Sequence, residues 1–286
     1  AGFDLVALSF VQGPEDARTA REAMGSRRVP LIAKIERRAA LERLPQVVRA
    51  FDGLMVARGD LAVETSPAEV PVFQKRIIAS ARAMGKPVIT ATQMLEAMMT
   101  QPVPTRAEAS DVANAIFDGT DAVMLSGETA RGRYPVETVQ VMDRIVRAAE
   151  AERRLTGTAT HPRGQTETIA EAMCSAAASA AETTGAVALA VMTESGTTAR
   201  LLSKHQPAAP IVAFTPNETT RRRMALYWGV DPRVMQWLNP DEQVTEIERR
   251  FTSERSGRSG DRIVLLAGTV AGRPGGTNVM KLHTIQ

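Results

Sequence analysis

Short apolar runs that return at regular intervals, each followed by a stretch of helical length, constrain this chain more than any other feature. The runs span 5–10, 29–35, 53–57, 87–91 and 122–125, and the helical stretches span 14–24, 39–50, 70–84, 106–117 and 135–152. A strand followed by such a helix brings the chain back to start the next strand in the same direction. The pattern therefore predicts βα units on a parallel sheet. The runs are apolar on both faces, as strands are when helices cover the sheet on both sides.

The chain has 286 residues, a length that suggests about two domains. A Gly/Pro/Thr-rich break, LTGTATHPRGQ at 155–165, separates the first α/β region from a second. The expected organisation is thus 1–154, a linker over 155–165, and a second domain over 166–286. In that domain an Ala-rich helix at 166–184 leads to strands at 187–192, 210–214, 234–238, 263–267 and 281–285. Helices are expected at 197–204, 218–227 and 241–250.

Lys plus Arg number 35 against 32 Asp plus Glu, for a net charge of +3, and no tract concentrates it. A nucleic-acid partner is not predicted. Cys174 is the single cysteine, so no intrachain disulfide and no multi-cysteine zinc cluster can form. No apolar run reaches the ~18 residues of a membrane span, and no signal segment is visible, so a cytoplasmic protein is expected. The sequence opens Ala1-Gly2-Phe3-Asp4, without methionine, and enters a strand at once. That opening suggests a truncated chain.

The carboxyl ends of parallel strands carry the ligand site in barrels and open α/β sheets alike. Here they read Lys34-Ile35-Glu36, Arg58-Gly59-Asp60, Thr90-Ala91-Thr92 and Ser126-Gly127-Glu128-Thr129. Lys34 and Glu36 are two apart on a strand and so share a face, opposite the apolar Leu31, Ala33 and Ile35. A lysine beside a carboxylate suits an anion and a divalent metal. Asp60 supplies a second carboxylate, and two carboxylates leave octahedral positions open for water and substrate oxygens on Mg²⁺. The Arg58-Gly59-Asp60 turn offers backbone N–H groups to an anion, with Gly59 permitting close approach. For Lys34 and Glu36 alone, a structural ion pair is the simpler account. Four such strand ends in succession are harder to explain that way.

With these motifs in place, residues 1–152 resemble the catalytic domain of pyruvate kinase from its fourth barrel strand onward. The matching segments are LIAKIE (31–36), DGLMVARGDLAVE (52–64), GKPVITATQMLEAM (85–98), PTRAEASDVANAIFDGTDAVMLSGETA (104–130) and YPVETV (134–139). Residues 166–286 resemble the family's C-terminal regulatory domain more loosely, ending in GGTNVMKLHTI. The resemblance implies a partial TIM-type (β/α) barrel, the equivalents of its last five strands, followed by an α/β domain. It implies phosphoryl transfer from phosphoenolpyruvate to ADP in glycolysis, giving pyruvate and ATP. By resemblance Lys34 matches the lysine that stabilises the transferred phosphoryl group, and Glu36 and Asp60 match the Mg²⁺ ligands. Gly59 and Asp60 match the turn that holds the substrate carboxylate. Thr92 matches the catalytic threonine near the carbon to be protonated, and Ser126 and Glu128 match pocket residues.

The sequence departs from the family where Arg37-Arg38-Ala39-Ala40-Leu41 follows the lysine motif, and where Ala62 stands in place of the usual glycine. The family's first three barrel strands and its lid have no counterpart in these residues. With them go the K⁺ ligands, the substrate arginine and much of the nucleotide surface. The expectation is a fragment that lacks catalysis by itself, from a parent that assembles as a homotetramer. Two other readings remain: an effector-binding or assembly piece without catalysis, and a Mg²⁺-dependent aldolase or lyase acting on pyruvate enolate.

In the second domain the loop Thr193-Glu194-Ser195-Gly196-Thr197-Thr198 joins a strand to a helix start. By resemblance, Thr193, Ser195, Gly196, Thr197 and Thr198 hold a phosphate of an allosteric effector, flanked by glycines 272, 275 and 276. An ordinary N-cap by Ser195 or Thr197 explains the same residues equally well. Arg221, Arg222 and Arg223 read as a solvated helix face and Cys174 as a small buried hydrophobe.

Overall fold

The computed structural model describes residues 2–156, 168–254, 256–268 and 276–286. The chain divides into two compact units, Ala1–Thr158 and Ala159–Gln286. The first unit runs β1 (Val6–Leu8), α1 (Glu15–Met24), β2 (Leu31–Ile35), α2 (Arg38–Glu42), α3 (Leu44–Ala50), β3 (Gly53–Ala57), α4 (Arg58–Glu64) and α5 (Val70–Ala83). It continues with β4 (Val88–Ala91), a 3₁₀ turn (Glu96–Met99), α6 (Arg106–Asp118), β5 (Ala122–Met124), α7 (Gly127–Ala130) and α8 (Pro135–Thr156).

Its five strands pair in sequence order, each parallel to the next. Five parallel strands in serial order make the wall of a barrel, and among the described residues that wall stays open, with β1 and β5 as its edges. Leu31, Ala33 and Ile35 of β2, Leu54 and Val56 of β3 and Val88 of β4 point to one side. There they pack with Leu44, Val47 and Val48 of α3 and Ile77, Ile78 and Ala81 of α5. Each fully buried Val, Leu or Ile among them contributes about 1.5–3 kcal/mol. This packing fixes the register, because a slip of one residue would turn Lys34 into the core. Ile35 pairs with Val56 and Ala57 with Ala91, so the residues just past β2, β3 and β4 emerge side by side at one edge.

The second unit runs α9 (Ile169–Thr184), β6 (Ala188–Met192), α10 (Thr197–Ser203), β7 (Ile211–Thr215), α11 (Glu218–Met224), β8 (Val230–Val234), α12 (Pro240–Ser253), β9 (Arg262–Gly268) and β10 (Thr277–Thr284). The sheet order is β10-β9-β6-β7-β8, parallel except for the antiparallel β9–β10 pair. Cys174, Ala177 and Ala181 of α9 pack on Leu189, Val191 and Val264 on one face. Ile247 and Phe251 of α12 pack on Ala190, Phe214 and Leu265 on the other. The two α/β sheets, one of them a partial barrel wall, bear out the fold class that the strand pattern predicts.

Local differences from the sequence reading have physical causes. The helix expected over 39–50 breaks at Arg43 into α2 and α3, because Pro45 lacks the N–H and clashes with the preceding turn. The strand expected at 234–238 is instead Val230–Val234, an edge strand containing Asp231 and Pro232. It is half exposed and carries no apolar run, and its Pro is tolerated because it lies at the edge. The Arg58-Gly59-Asp60 turn is the first turn of helix α4. Ala62 therefore sits inside a helix, where alanine is favoured over the family's glycine by about 0.5–1 kcal/mol. Of the expected linker, 155 and 156 belong to the end of α8, and 157–165 lies outside the described residues.

Candidate active site

The first pair lies at the end of β2. Lys34 Nζ is 2.6 Å from Glu36 Oε1 and donates to Ser9 Oγ at 2.9 Å. The Glu36 side chain is 1% exposed, and its other oxygen accepts the Phe10 N–H at 2.6 Å. A buried carboxylate is tolerated only when paired in this way. The turn after β1 bends to supply that N–H: Phe10 has φ 58°, and the Arg37 guanidinium lies 5.2 Å from the centre of its ring.

The second cluster joins the ends of β3 and β4. Gly59 donates its N–H to Thr92 Oγ1 at 2.9 Å, and the Thr92 hydroxyl donates to the Ala91 carbonyl at 2.7 Å. A methyl group added at Gly59 would lie 3.7 Å from Thr92 Oγ1, so glycine leaves that space open beside the hydroxyl. Asp60 is exposed in the first turn of α4 and makes no hydrogen bond or ion pair among the described residues.

At the end of β5, Glu128 is buried and faces inward. Oε1 accepts the N–H groups of Met94 and Leu95, each at 3.3 Å, and Oε2 accepts that of Ser126 at 2.8 Å. Burial pushes its pKa up, but these amides and its own N–H outweigh burial and hold the carboxyl below the usual range. Glu128 thus ties the loop after β4 to the end of β5. Ser126 offers its hydroxyl from the residue before α7.

Among the described residues no group of three or more His, Cys, Asp or Glu side chains gathers as a metal centre. Glu36 and Asp60 nevertheless fit Mg²⁺ in donor chemistry. They are hard oxygens at neighbouring strand ends, one anchored and one free, and Mg²⁺ commonly takes one or two protein carboxylates and keeps its other positions for water and substrate.

In the second unit, Gly196 has φ 80° and donates its N–H to Thr193 Oγ1 at 3.0 Å. Ser195 Oγ and Thr197 Oγ1 are bonded to each other at 2.9 Å. Thr198 is buried and bonded through its hydroxyl to Thr277 at 2.5 Å. Trp237 Nε1 holds Glu194 Oε2 at 2.8 Å. Glycines 272 and 275 lie outside the described residues.

Sequence reasoning missed three participants. Ser9 and Phe10 read as part of a strand, and nothing local marks the positive φ that turns the Phe10 amide toward Glu36. Arg58 was visible as a polar strand end, but its inward course toward the loop after β4 is a tertiary fact.

A serial parallel βα sheet, with a lysine, two carboxylates and a hydroxyl at its carboxyl edge and a second α/β unit after it, defines a barrel-type α/β protein, and in that class the carboxyl edge is where ligands bind. The family profile described as "Pyruvate kinase, barrel domain" matches residues 1–139, and "Pyruvate kinase, alpha/beta domain" matches residues 171–283. The chain belongs to the pyruvate kinase family. It is 43% identical over 290 residues to a pyruvate kinase of Geobacillus stearothermophilus, covering 99% of this chain and 49% of that protein. It is 44% identical over 288 residues to pyruvate kinase 2 of Synechocystis sp., covering 100% of this chain and 48% of the relative. To a pyruvate kinase of Methylorubrum extorquens it is 42% identical over 284 residues, covering 99% and 59%. The chain spans about half the length of the first two of these relatives.

Proposed function

We propose that the carboxyl edge of β2–β5 is the phosphoenolpyruvate face of a pyruvate kinase, which passes the phosphoryl group to ADP. The observation that carries this reading is the Lys34–Glu36 pair set beside the Gly59–Thr92 junction, on adjacent parallel strand ends. Phosphoryl transfer needs positioning and charge stabilisation rather than a covalent catalyst, and this edge supplies both. Lys34, one atom of which already faces a carboxylate oxygen, presents its ammonium to the transferred group. Glu36 and Asp60 would hold Mg²⁺, which when bound neutralises charge on the phosphoryl oxygens. Gly59 leaves the space for the substrate carboxylate. The Thr92 hydroxyl, once turned from the Ala91 carbonyl, is placed to relay a proton from water to the enolate, taking one up as it gives one. Ser126 lines the pocket, and Glu128 acts through the backbone it holds.

The same reading takes K⁺ as a second cation held outside these residues, a cytoplasmic location, and a homotetramer. Among the described residues no helix is long and apolar enough to cross a membrane. It also takes the 193–198 loop as the seat of an effector phosphate, received chiefly by Ser195 and Thr197, whose hydroxyls are accessible, whereas Thr198 is buried against Thr277.

The test is a coupled assay on a full-length enzyme that carries this sequence. ATP formed from phosphoenolpyruvate and ADP supports the reading. Aldol cleavage of a 2-oxo acid with no ATP formed would replace it with the lyase reading. The 286-residue polypeptide by itself, whose five-stranded sheet is open among the described residues, should show no turnover of phosphoenolpyruvate.

A further inference from the structure

Arg58 is buried, 5% exposed, yet its charge faces backbone rather than a substrate space. Its guanidinium donates to the Thr92 carbonyl from Nε at 3.1 Å and from Nη2 at 2.8 Å, and to the Gln93 carbonyl from Nη2 at 2.8 Å. Nη2 also lies 2.8 Å from Met94 Sδ. On its other side Nη1 is paired with Asp111 of α6 and lies 3.4 Å from Gln74 Oε1 of α5. Gln74 in turn donates to Asp118 at 3.0 Å. The guanidinium is thus fixed by two helices and spends its fork on two successive carbonyls.

Those carbonyls belong to residues in an unfavourable conformation. Thr92 has φ 68° and Gln93 has φ 52°, two successive left-handed non-glycine residues, the first of them β-branched. Such a pair persists only where the surroundings hold it. In this conformation the Thr92 hydroxyl meets the Gly59 N–H. Gly59 follows Arg58 directly in the chain, so a single segment clamps the turn with its side chain and meets the turn's hydroxyl with its backbone.

We propose that Arg58 is a positioning residue that holds Thr92 and Gln93 in the left-handed turn and so aims the Thr92 hydroxyl at the reacting edge. This rests on the reading of Thr92 as the substrate-facing hydroxyl. Lysine cannot take over the role, because a compact ammonium lacks the planar fork that bridges two carbonyls.

The experiment uses a full-length enzyme carrying this sequence, with Arg58→Lys, Gln93→Gly, the double variant and Thr92→Val. Misplacing a reacting group by about 1 Å can cost up to ~10²-fold in rate. Arg58→Lys should therefore lower kcat at least about tenfold with little change in the KM for ADP, and should speed hydrogen exchange at the Gly59 amide. Glycine at 93 takes a positive φ without support. Gln93→Gly should leave the parent's kcat nearly unchanged and restore most of the loss caused by Arg58→Lys, which a general loss of stability would not allow. The proposal is overturned if Arg58→Lys keeps kcat within about threefold and the Gly59 amide protected, or if glycine at 93 restores nothing. Thr92→Val separates the two claims. If it leaves kcat intact, the Thr92 reading fails, while Gly59 exchange in Arg58→Lys still decides the clamp. Should Arg58→Lys fail to fold, Asp111→Asn takes its place, since it frees the far side of the fork. It should speed Gly59 exchange, and unchanged exchange overturns the proposal.

Discussion

Glu128→Gln changes one oxygen to nitrogen at a buried site whose partners are all backbone donors. The carboxylate accepts the Ser126 N–H at 2.8 Å on one oxygen and those of Met94 and Leu95 at 3.3 Å on the other. Glutamine keeps one acceptor, and the short bond to Ser126 is the one worth keeping. Its NH₂ group then faces the amides of Met94 and Leu95, two donors that lose their acceptor. A hydrogen bond to a charged group contributes about 1.5–3 kcal/mol, and a stranded buried donor costs about 1–3 kcal/mol. The stretched geometry puts the two lost bonds at the lower end, so the first unit should lose about 2–4 kcal/mol. Urea unfolding followed by circular dichroism measures it, with hydrogen exchange at Met94 and Leu95 as the local readout. Both tryptophans, Trp228 and Trp237, lie in the second unit, so fluorescence should show that unit's transition unmoved. The carboxyl is held below its usual range, so its contribution is present above the unfolded value of about 4.3 and is lost as pH falls through the lower folded value. The difference between parent and variant should therefore shrink on acidification. A loss under about 0.5 kcal/mol at neutral pH, with exchange unchanged, would refute the reasoning.

In the second unit, hydrogen bonds from Arg249 and Arg250 hold the Glu246 carboxyl down at about 2. Its contribution is present above about pH 4.3 and lost as pH falls toward 2, and because the pair lies at the surface, where solvent screens it, it should amount to less than about 1 kcal/mol. Glu246→Gln should lower the urea midpoint by tryptophan fluorescence at pH 7 and not at pH 2, and equal midpoints at pH 7 would contradict this. Burial pushes the Cys174 thiol up to about 12. A thiol-reactive dye should then leave the native protein unlabelled at pH 8 and modify one thiol in urea, because the thiolate is the nucleophile. Prompt labelling of the native protein would contradict the buried placement.

Strand interiors and their faces were legible because packing is written in apolar runs. The 53–57 run is β3 residue for residue, and Leu31, Ala33 and Ile35 face the helices as their alternation implies. The Lys34–Glu36 pair was legible for the same reason, since two residues apart on a strand share a face. What escaped was set by contacts distant in sequence. Arg58 opens a helix, and its side chain is drawn to carbonyls 34 and 35 residues away. Phe10 and Thr92 hold positive φ because Glu36 and Arg58 secure them, and neither residue type signals it. The SGET segment likewise gives no sign that the amides of Met94 and Leu95, 34 and 33 residues away, bond to a Glu128 oxygen. Strand β8 was misplaced because an edge strand needs no apolar run.

The central claim is that Lys34 stabilises charge on a transferred phosphoryl group, and a Lys34→Met variant of a full-length enzyme carrying this sequence tests it most directly. Losing one preorganised electrostatic contact costs about 10²–10³ in kcat. Methionine preserves most of the side-chain bulk and removes the ammonium, while Glu36 keeps its bond to the Phe10 amide. Steady-state kinetics with phosphoenolpyruvate and ADP should show kcat reduced by about that factor with KM changed less than about threefold. A kcat within about threefold of the parent would mean that Lys34 serves only to neutralise Glu36, and the account of this site would fail.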